Sequence, residues 1–270
     1  MIFKKIVLKK QNVNVDIVEE TLRICYDNMC FSTFPYIMYK IESSEDTLNN
    51  YNSGNCIALC LFLKKYLKNI GIDSHLIPAS VPDIHKVQGV NHICHVSLLI
   101  PYDTHRFYVV DPAFYFLTPL DCDLNNNKLK SADTMNVHAE EIQKVNYIIR
   151  PADKYNQHKH QVTCYFDADQ NDIWHYYVQE VDLSDADKYI GAKFMEMKPE
   201  PFIVKTIYDV NTNTVKKLYH IKQRADSIII IKNTSEVFSG PITHIPKDLQ
   251  CELNTKFYKY FNMNSFNQIK

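Results

Sequence analysis

Apolar residues recur every three or four positions in two stretches of the first third of the chain. Val18, Leu22, Cys25 and Met29 share one helical face, with Glu19, Glu20 and Arg23 between them. A second stripe runs through Leu59, Leu63, Tyr66, Leu67 and Ile70 and leaves Lys64, Lys65 and Lys68 on the other side. It stops at Gly71, a residue type suited to the left-handed turn just past a helix. The period then changes. Ser74–Ala79, His95–Ile100, Phe107–Val110, Val145–Ile149, Val162–Phe166, Tyr176–Val181, Phe202–Tyr208, Val215–His220 and Ile228–Ile231 are rich in β-branched and aromatic residues and read as strands. Two more helices are expected. One starts at Ser184, where Asp187 three residues on makes a weak capping box, and runs to about Met197. The other follows Leu249, Leu253, Phe257 and Tyr260. Asn125–Asn127 and Asn156–His160 read as loops. Helices first, then a run of strands, then a helix and more strands argue for α+β with segregated layers.

Composition narrows the chemistry. The chain has 270 residues, with 30 basic and 31 acidic side chains and a net charge of −1. That balance carries no electrostatic footprint for nucleic acid or for an anionic membrane surface. Only five glycines occur, at 54, 71, 89, 191 and 240. None is close enough to another to form a dinucleotide fingerprint or a phosphate-binding P-loop. The eight cysteines are scattered, without any C-x-x-C pair. Lysines interrupt the first ten residues, and no window approaches eighteen apolar residues, so neither a leader nor a spanning helix is expected. The expected setting is cytoplasmic, with reduced thiols.

One cysteine is well placed. Asn52-Ser53-Gly54-Asn55 is a turn cluster that feeds Cys56 into the second helix. At a helix start, free N–H groups and the positive dipole end favour thiolate over thiol, and the same N–H groups can hold an oxyanion. Downstream, His95–Ile100 and Phe107–Asp111 are two short strands joined by Pro101–Arg106. In a hairpin centred on Asp103, His95 falls opposite Asp111, within reach of an imidazole–carboxylate contact. Cys56, His95 and Asp111 would then be nucleophile, base and orienting group. His92 competes with His95 but has the opposite strand parity and sits in a polar loop, so His95 is preferred. Cys60 lies one turn deeper in the helix. His92, Cys94 and His95 match no standard zinc spacing, and no metal site is assigned. His158 and His160 read as loop residues, and Trp174, Tyr176 and Tyr177 as core aromatics.

These residues resemble the arylamine N-acetyltransferases. The resemblance is carried by Gly71–Val81, by His95–Ile100 and by Tyr108-Val109-Val110-Asp111-Pro112-Ala113-Phe114, with Thr118-Pro119-Leu120 and Pro199–Val204 as weaker matches. Most of the chain can be laid along the family pattern, but only the triad region is specific. Two motifs depart from it: the family's R-G-G before the cysteine is Asn52-Ser53-Gly54, and the glutamate two residues after it is Ala58. The resemblance implies an α+β fold in three parts. These are a helical subdomain over 1–85 carrying Cys56, an antiparallel β-barrel-like subdomain over 86–182 carrying His95 and Asp111, and an α/β lid over 183–270. It also implies a cysteine acyltransferase that passes an acetyl group from acetyl-coenzyme A, as cosubstrate, to a small-molecule amine, with no permanently bound cofactor and neither a nucleic-acid nor a membrane partner.

Two other readings use the same residues. Transglutaminase-like proteins share the Cys-His-Asp core, and their V-D-P ending fits Val110-Asp111-Pro112; they would act on an amide or peptide carbonyl. A binding protein on this fold would use Cys56 structurally. The C-terminal half favours the acetyltransferase layout. Pro82–Asn91 and Leu120–Thr134 are the loops expected to shape a substrate pocket.

Overall fold

Both sequence stripes fold as helices, and each has a polar cap that sets its first residue. A computed structural model describes residues 1–80, 92–152, 160–166, 172–197 and 200–257. The first quarter runs β1 (Phe3–Lys4), α1 (Val15–Asn28), β2 (Cys30–Ser32), α2 (Phe34–Met38), α3 (Ser44–Tyr51), β3 (Ser53–Gly54) and α4 (Cys56–Asn69). There follow β4 (His75–Ser80), β5 (Ile93–Pro101), β6 (Arg106–Val110), β7 (Leu120–Asp123), β8 (Lys130–Asn136), β9 (Glu141–Pro151), β10 (His160–Tyr165), β11 (Ile173–Tyr177) and β12 (Glu180–Val181). Then come α5 (Leu183–Asp185), a π-helical turn over Ala186–Gly191, α6 (Ala192–Met197), β13 (Phe202–Asp209), β14 (Thr214–Arg224), β15 (Ser227–Lys232), β16 (Ser235–Pro241) and α7 (Lys247–Phe257). Among the described residues, no helix is long and apolar enough to cross a membrane.

The fold is α+β. Eight strands form an antiparallel sheet in the order β7-β6-β5-β4-β11-β10-β9-β8. The chain after β6 bends back onto the far edge: Leu117 N donates to Asp133 O at 2.8 Å, and Met135 N to Tyr115 O at 3.0 Å. The sheet is thereby nearly closed into a barrel, which leaves few unpaired edge groups. β5 is buried at every position, with His95 and Ser97 the polar residues within its otherwise apolar run. A second sheet has the order β16-β15-β14-β13-β2-β3, with β2 and β3 parallel. α4 packs on β5, and α1 packs on β13 and α4. Lys205 of β13 is buried and donates to the carbonyls of Asp27 (2.6 Å) and Met29 (3.3 Å), which meets the unsatisfied acceptors at the end of α1.

Several elements differ from the sequence reading. α2, at five residues, is too short to show a period, and α3 carries too few apolar residues for a stripe. Pro35 sits in the first turn of α2. Ser43 caps α3 by accepting from Asp46 N, and Asn52 ends it in the left-handed conformation at φ 46°. Leu120–Thr134 is not an open loop: it contains β7 and most of β8. Tyr176–Val181 is not one strand but breaks between β11 and β12. Helical structure starts at Leu183 rather than from a box at Ser184, because the Asp187 carboxylate accepts from Ser44 N at 3.2 Å. Pro82–Asn91 and Tyr260 lie outside the described residues, as does all of Asn156–His160 except His160, which opens β10.

Gly54 is where α4, α3 and α2 approach most closely. A Cβ added there would stand 2.5 Å from Ala58 Cβ, 2.8 Å from Thr47 Oγ1 and 2.9 Å from Tyr36 Oη. All three neighbours belong to helices that fix the position of Cys56. Gly54→Ala is therefore expected to destabilise the protein by about 1–3 kcal/mol through overpacking, read as a lower urea midpoint at unchanged slope. Adding Ala58→Gly removes the shortest contact and should recover part of the loss.

Candidate active site

Cys56 is the first residue of α4. Asn55 caps it with backbone in the extended region, and its Oδ1 accepts from Ile57 N at 3.0 Å and Ala58 N at 3.4 Å. This corrects one sequence expectation. The first-turn N–H groups are not all open to a substrate: Asn55 occupies those of Ile57 and Ala58, which leaves the N–H of Cys56 itself. Asn55 is held in turn by Tyr36, whose hydroxyl accepts from Asn55 N at 3.2 Å. Asn52 and Ser53, which stand where the resembling family has R-G, supply the left-handed end of α3 and the start of β3.

His95 lies in β5 and Asp111 immediately follows β6. The hairpin pairs Leu98 with Val110 and Pro101 with Phe107, a register two residues away from the expected one. A shift of two keeps every side chain on its face. Asp111 therefore stands level with Ser97, whose hydroxyl donates to Val110 O at 2.6 Å, and His95 meets it along the diagonal. The contact forms all the same: His95 Nε2 and Asp111 Oδ2 are 2.5 Å apart.

The carboxylate of Asp111 has no solvent contact, and both of its oxygens are occupied. Oδ1 accepts from Ala113 N at 3.1 Å and Phe114 N at 3.3 Å, which caps the short helical turn Pro112–Phe114. Oδ2 accepts from the Tyr176 hydroxyl at 3.0 Å as well as facing His95. Tyr176 is thus part of the site, where the sequence reading placed it in the core as packing alone. Its placement follows from register. Ala79 of β4 pairs with His95 on one side and Tyr176 on the other, so the three share a face. Only a methyl group separates the imidazole from the phenol along that row. Burial, followed by the Asp111 charge, raises the Tyr176 pKa well above its ordinary value, and the group stays a donor. Trp174 is likewise more than core. Its ring and that of Phe114 meet the His95 ring edge-on at 5.5 Å and 5.0 Å.

Burial opposes a charge on His95, but the Asp111 carboxylate and the Cys56 sulfur, each also hydrogen-bonded to the ring, overcome it and hold the pKa up at about 10. Cys56, His95 and Asp111 are therefore brought together in one hydrogen-bonded chain. All three are nearly closed to solvent, at 1%, 7% and 0% exposure. Other thiols differ in kind. Cys60 is buried, donates to Val96 O at 3.5 Å, and burial drives its pKa well above the ordinary value. Burial pushes Cys94 up to about 12. His92 precedes β5 and is not among the partners of Asp111. Among the described residues, no three His, Cys, Asp or Glu side chains are grouped to hold a metal ion.

No family model matches the sequence, and no curated protein matches it significantly. Solved structures do match the fold. The arylamine N-acetyltransferase of Salmonella typhimurium is 11% identical and superposes with a TM-score of 0.59 over 96% of this chain and 93% of its own. A Bacillus cereus arylamine N-acetyltransferase with a Cys-His-Glu catalytic triad is 17% identical, with a TM-score of 0.58 over 94% and 93%. The Mycobacterium marinum arylamine N-acetyltransferase in complex with coenzyme A is 10% identical, with a TM-score of 0.57 over 94% and 91%. The chain has the arylamine N-acetyltransferase fold.

The His95–Asp111 pair has a defined pH signature. The imidazole pKa is raised from about 6.5 in the unfolded chain to about 10 in the folded one. Its contribution to stability is therefore complete below the unfolded value and is lost as pH rises through the folded one. The difference in unfolding free energy between wild type and His95→Gln should shrink steadily from pH 6.5 towards pH 10. A difference that instead grows with pH contradicts the pairing. Tyr176→Phe removes one donor from a buried carboxylate and should cost about 1–3 kcal/mol in the same denaturation assay.

Proposed function

We propose that the protein is a cysteine acyltransferase that carries an acetyl group from acetyl-coenzyme A to a small-molecule amine through a thioester on Cys56. The observation that carries this reading is the hydrogen-bonded chain Cys56–His95–Asp111 at the start of a helix, in a chain whose fold neighbours are arylamine N-acetyltransferases, one of them holding coenzyme A. In this reading Asp111 orients the imidazole and supports its cationic form, and Tyr176 positions Asp111.

The Cys56 thiolate attacks the carbonyl carbon of the acyl donor. The C–S bond to coenzyme A breaks, and its sulfur takes the proton held on His95. The acetyl group now blocks the Cys56 charge, one of the influences that raise the His95 pKa. With that charge gone the imidazolium is a stronger acid than in the resting pair, so after the proton leaves His95 stays neutral, held in place by Asp111 and with a nitrogen free to accept a proton. A neutral amine then attacks the thioester carbonyl, and His95 takes the proton that the nitrogen sheds as the C–N bond forms. The C–S bond to Cys56 breaks and the thiolate–imidazolium pair is restored. The Cys56 N–H at the helix start faces the developing oxyanion in both halves. Asp111 is already saturated with hydrogen bonds and need not move, which keeps the reorganisation cost of each half low.

Intact-protein mass spectrometry after mixing with acetyl-coenzyme A should show one acetyl group, and Cys56→Ala should show none. An unmodified wild-type mass sinks the acetyl reading. Asp111→Asn should fold and yet lose about two to four orders of magnitude in turnover, because the imidazole is misoriented. Rapid alkylation of Cys56 by iodoacetamide near neutral pH, slowed in His95→Gln but not in His92→Gln, separates the enzyme from a structural role for the thiol.

A further inference from the structure

A cavity of about 860 Å3 lies between the barrel and the second sheet, and it adjoins the triad through a single ring. Phe114 forms part of its wall and also packs edge-on against His95 at 5.0 Å. Strand alternation puts His220, Lys222 and Arg224 of β14 on the face of the sheet that lines this cavity. His138, at the turn after β8, meets them from the barrel, with its ring 5.2 Å from that of His220.

This wall holds two cations, Lys222 and Arg224, and its two acids bond to groups other than Lys222. Glu200 and Asp172 are the acids in the cavity wall. Glu200 accepts from Arg224 Nε at 3.0 Å, and Asp172 accepts from the Trp174 indole at 2.8 Å. Glu140 is the acid whose charge acts on Lys217, the buried lysine behind the cluster, whose Nζ approaches His138 Nδ1 at 3.5 Å. Among the described residues, Lys222 makes no ion pair. The cluster shows the expected strain. Burial, then the charges of Lys217 and Lys222, depress His138, and burial followed by Lys222, His138 and Lys217 lowers His220 to about 3. Both imidazoles are therefore neutral near pH 7, and each has an N–H to offer beside the Lys222 ammonium. An unpaired lysine and two imidazole donors converging on a half-apolar cavity suit an anion attached to an organic body.

We propose that this cluster binds an anionic group of a substrate, a phosphate or carboxylate, held by Lys222 with His138 and His220, while the rest of that molecule extends past Phe114 towards Cys56. The assignment of this anion to a substrate rests on the acyl-transfer reading above; the anion site itself does not. Two sources share the chemistry, the phosphates of the acyl donor and a carboxylate on the amine acceptor.

Calorimetric titration with inorganic pyrophosphate and with p-aminobenzoate tests the site without any turnover. Binding of one or both to wild type and to Cys56→Ala alike, weakened about tenfold or more by Lys222→Glu, supports it. His220→Gln, which keeps a donor but not the ring, should weaken binding less. Lys222 is exposed, and a native melting profile of Lys222→Glu excludes misfolding as the cause. Absence of binding to wild type, or equal affinity in Lys222→Glu, overturns the proposal. Kinetics then identify the source. A rise in KM for acetyl-coenzyme A larger than that for acetyl-pantetheine assigns the anion to the donor, and a rise for p-aminobenzoate larger than for aniline assigns it to the acceptor. Failure of acetyl transfer altogether would leave the binding result intact, so the two readings fail separately.

Discussion

A carboxylate without solvent contact is tolerated only when its lone pairs are filled, and the arrangement around Asp111 follows from that requirement. Two backbone N–H groups hold one oxygen and fix the turn that leaves β6. The other oxygen joins an imidazole from β5 to a phenol from β11. Three separate strands of the barrel are thus pinned to one side chain. That turn also aims Phe114 at His95 and sends residues 115–118 across to β8, where they close the barrel. A change at this carboxylate acts on barrel closure and on imidazole orientation together.

The strands and long helices are legible in sequence wherever one side-chain period is sustained for several residues. The nine expected strands all lie on observed ones, although Tyr176–Val181 overruns a break. What escapes notice is short or held by partners far along the chain. β2 and β3 are three and two residues long and exist because β13 pairs with β2. α3 turns Ser44 and Thr47 inward, so its buried side is mostly polar and leaves no apolar stripe. β7 and β8 mix buried and exposed polar residues, and the run of asparagines between them reads as loop.

Within the site, Cys56 is legible because turn residues precede a helical stripe, and His95 with Asp111 because a hairpin must bring its strand ends together. The pairing register was not legible, since Pro101–Arg106 can turn about Asp103 or one residue later. The error was harmless because a displacement of two residues conserves the face. Tyr176 was not legible because its role depends on β4 and β11 being neighbours, and Ala79 that joins the two rows gives no local signal. The basic face of β14 is written plainly in the chain as alternating His220, Lys222 and Arg224. Its meaning emerges only when His138 is brought opposite.

The parallel pairing of β2 and β3, and their attachment to β13, has a consequence for the order of assembly. Ser32 pairs with Ile203 and Cys30 with both Lys205 and Ser53, so the loop that presents Cys56 is anchored on a strand made well after it. Contacts of such long sequence separation form late and slow the folding of the whole. A nascent chain that has released α4 and the barrel from the ribosome still lacks β13, the strand against which β2 is laid and through it β3. The β2–β3 pair ahead of α4 therefore joins its sheet only once residues 202–209 have emerged, long after the Asn55 cap and β5 are available to hold the start of α4.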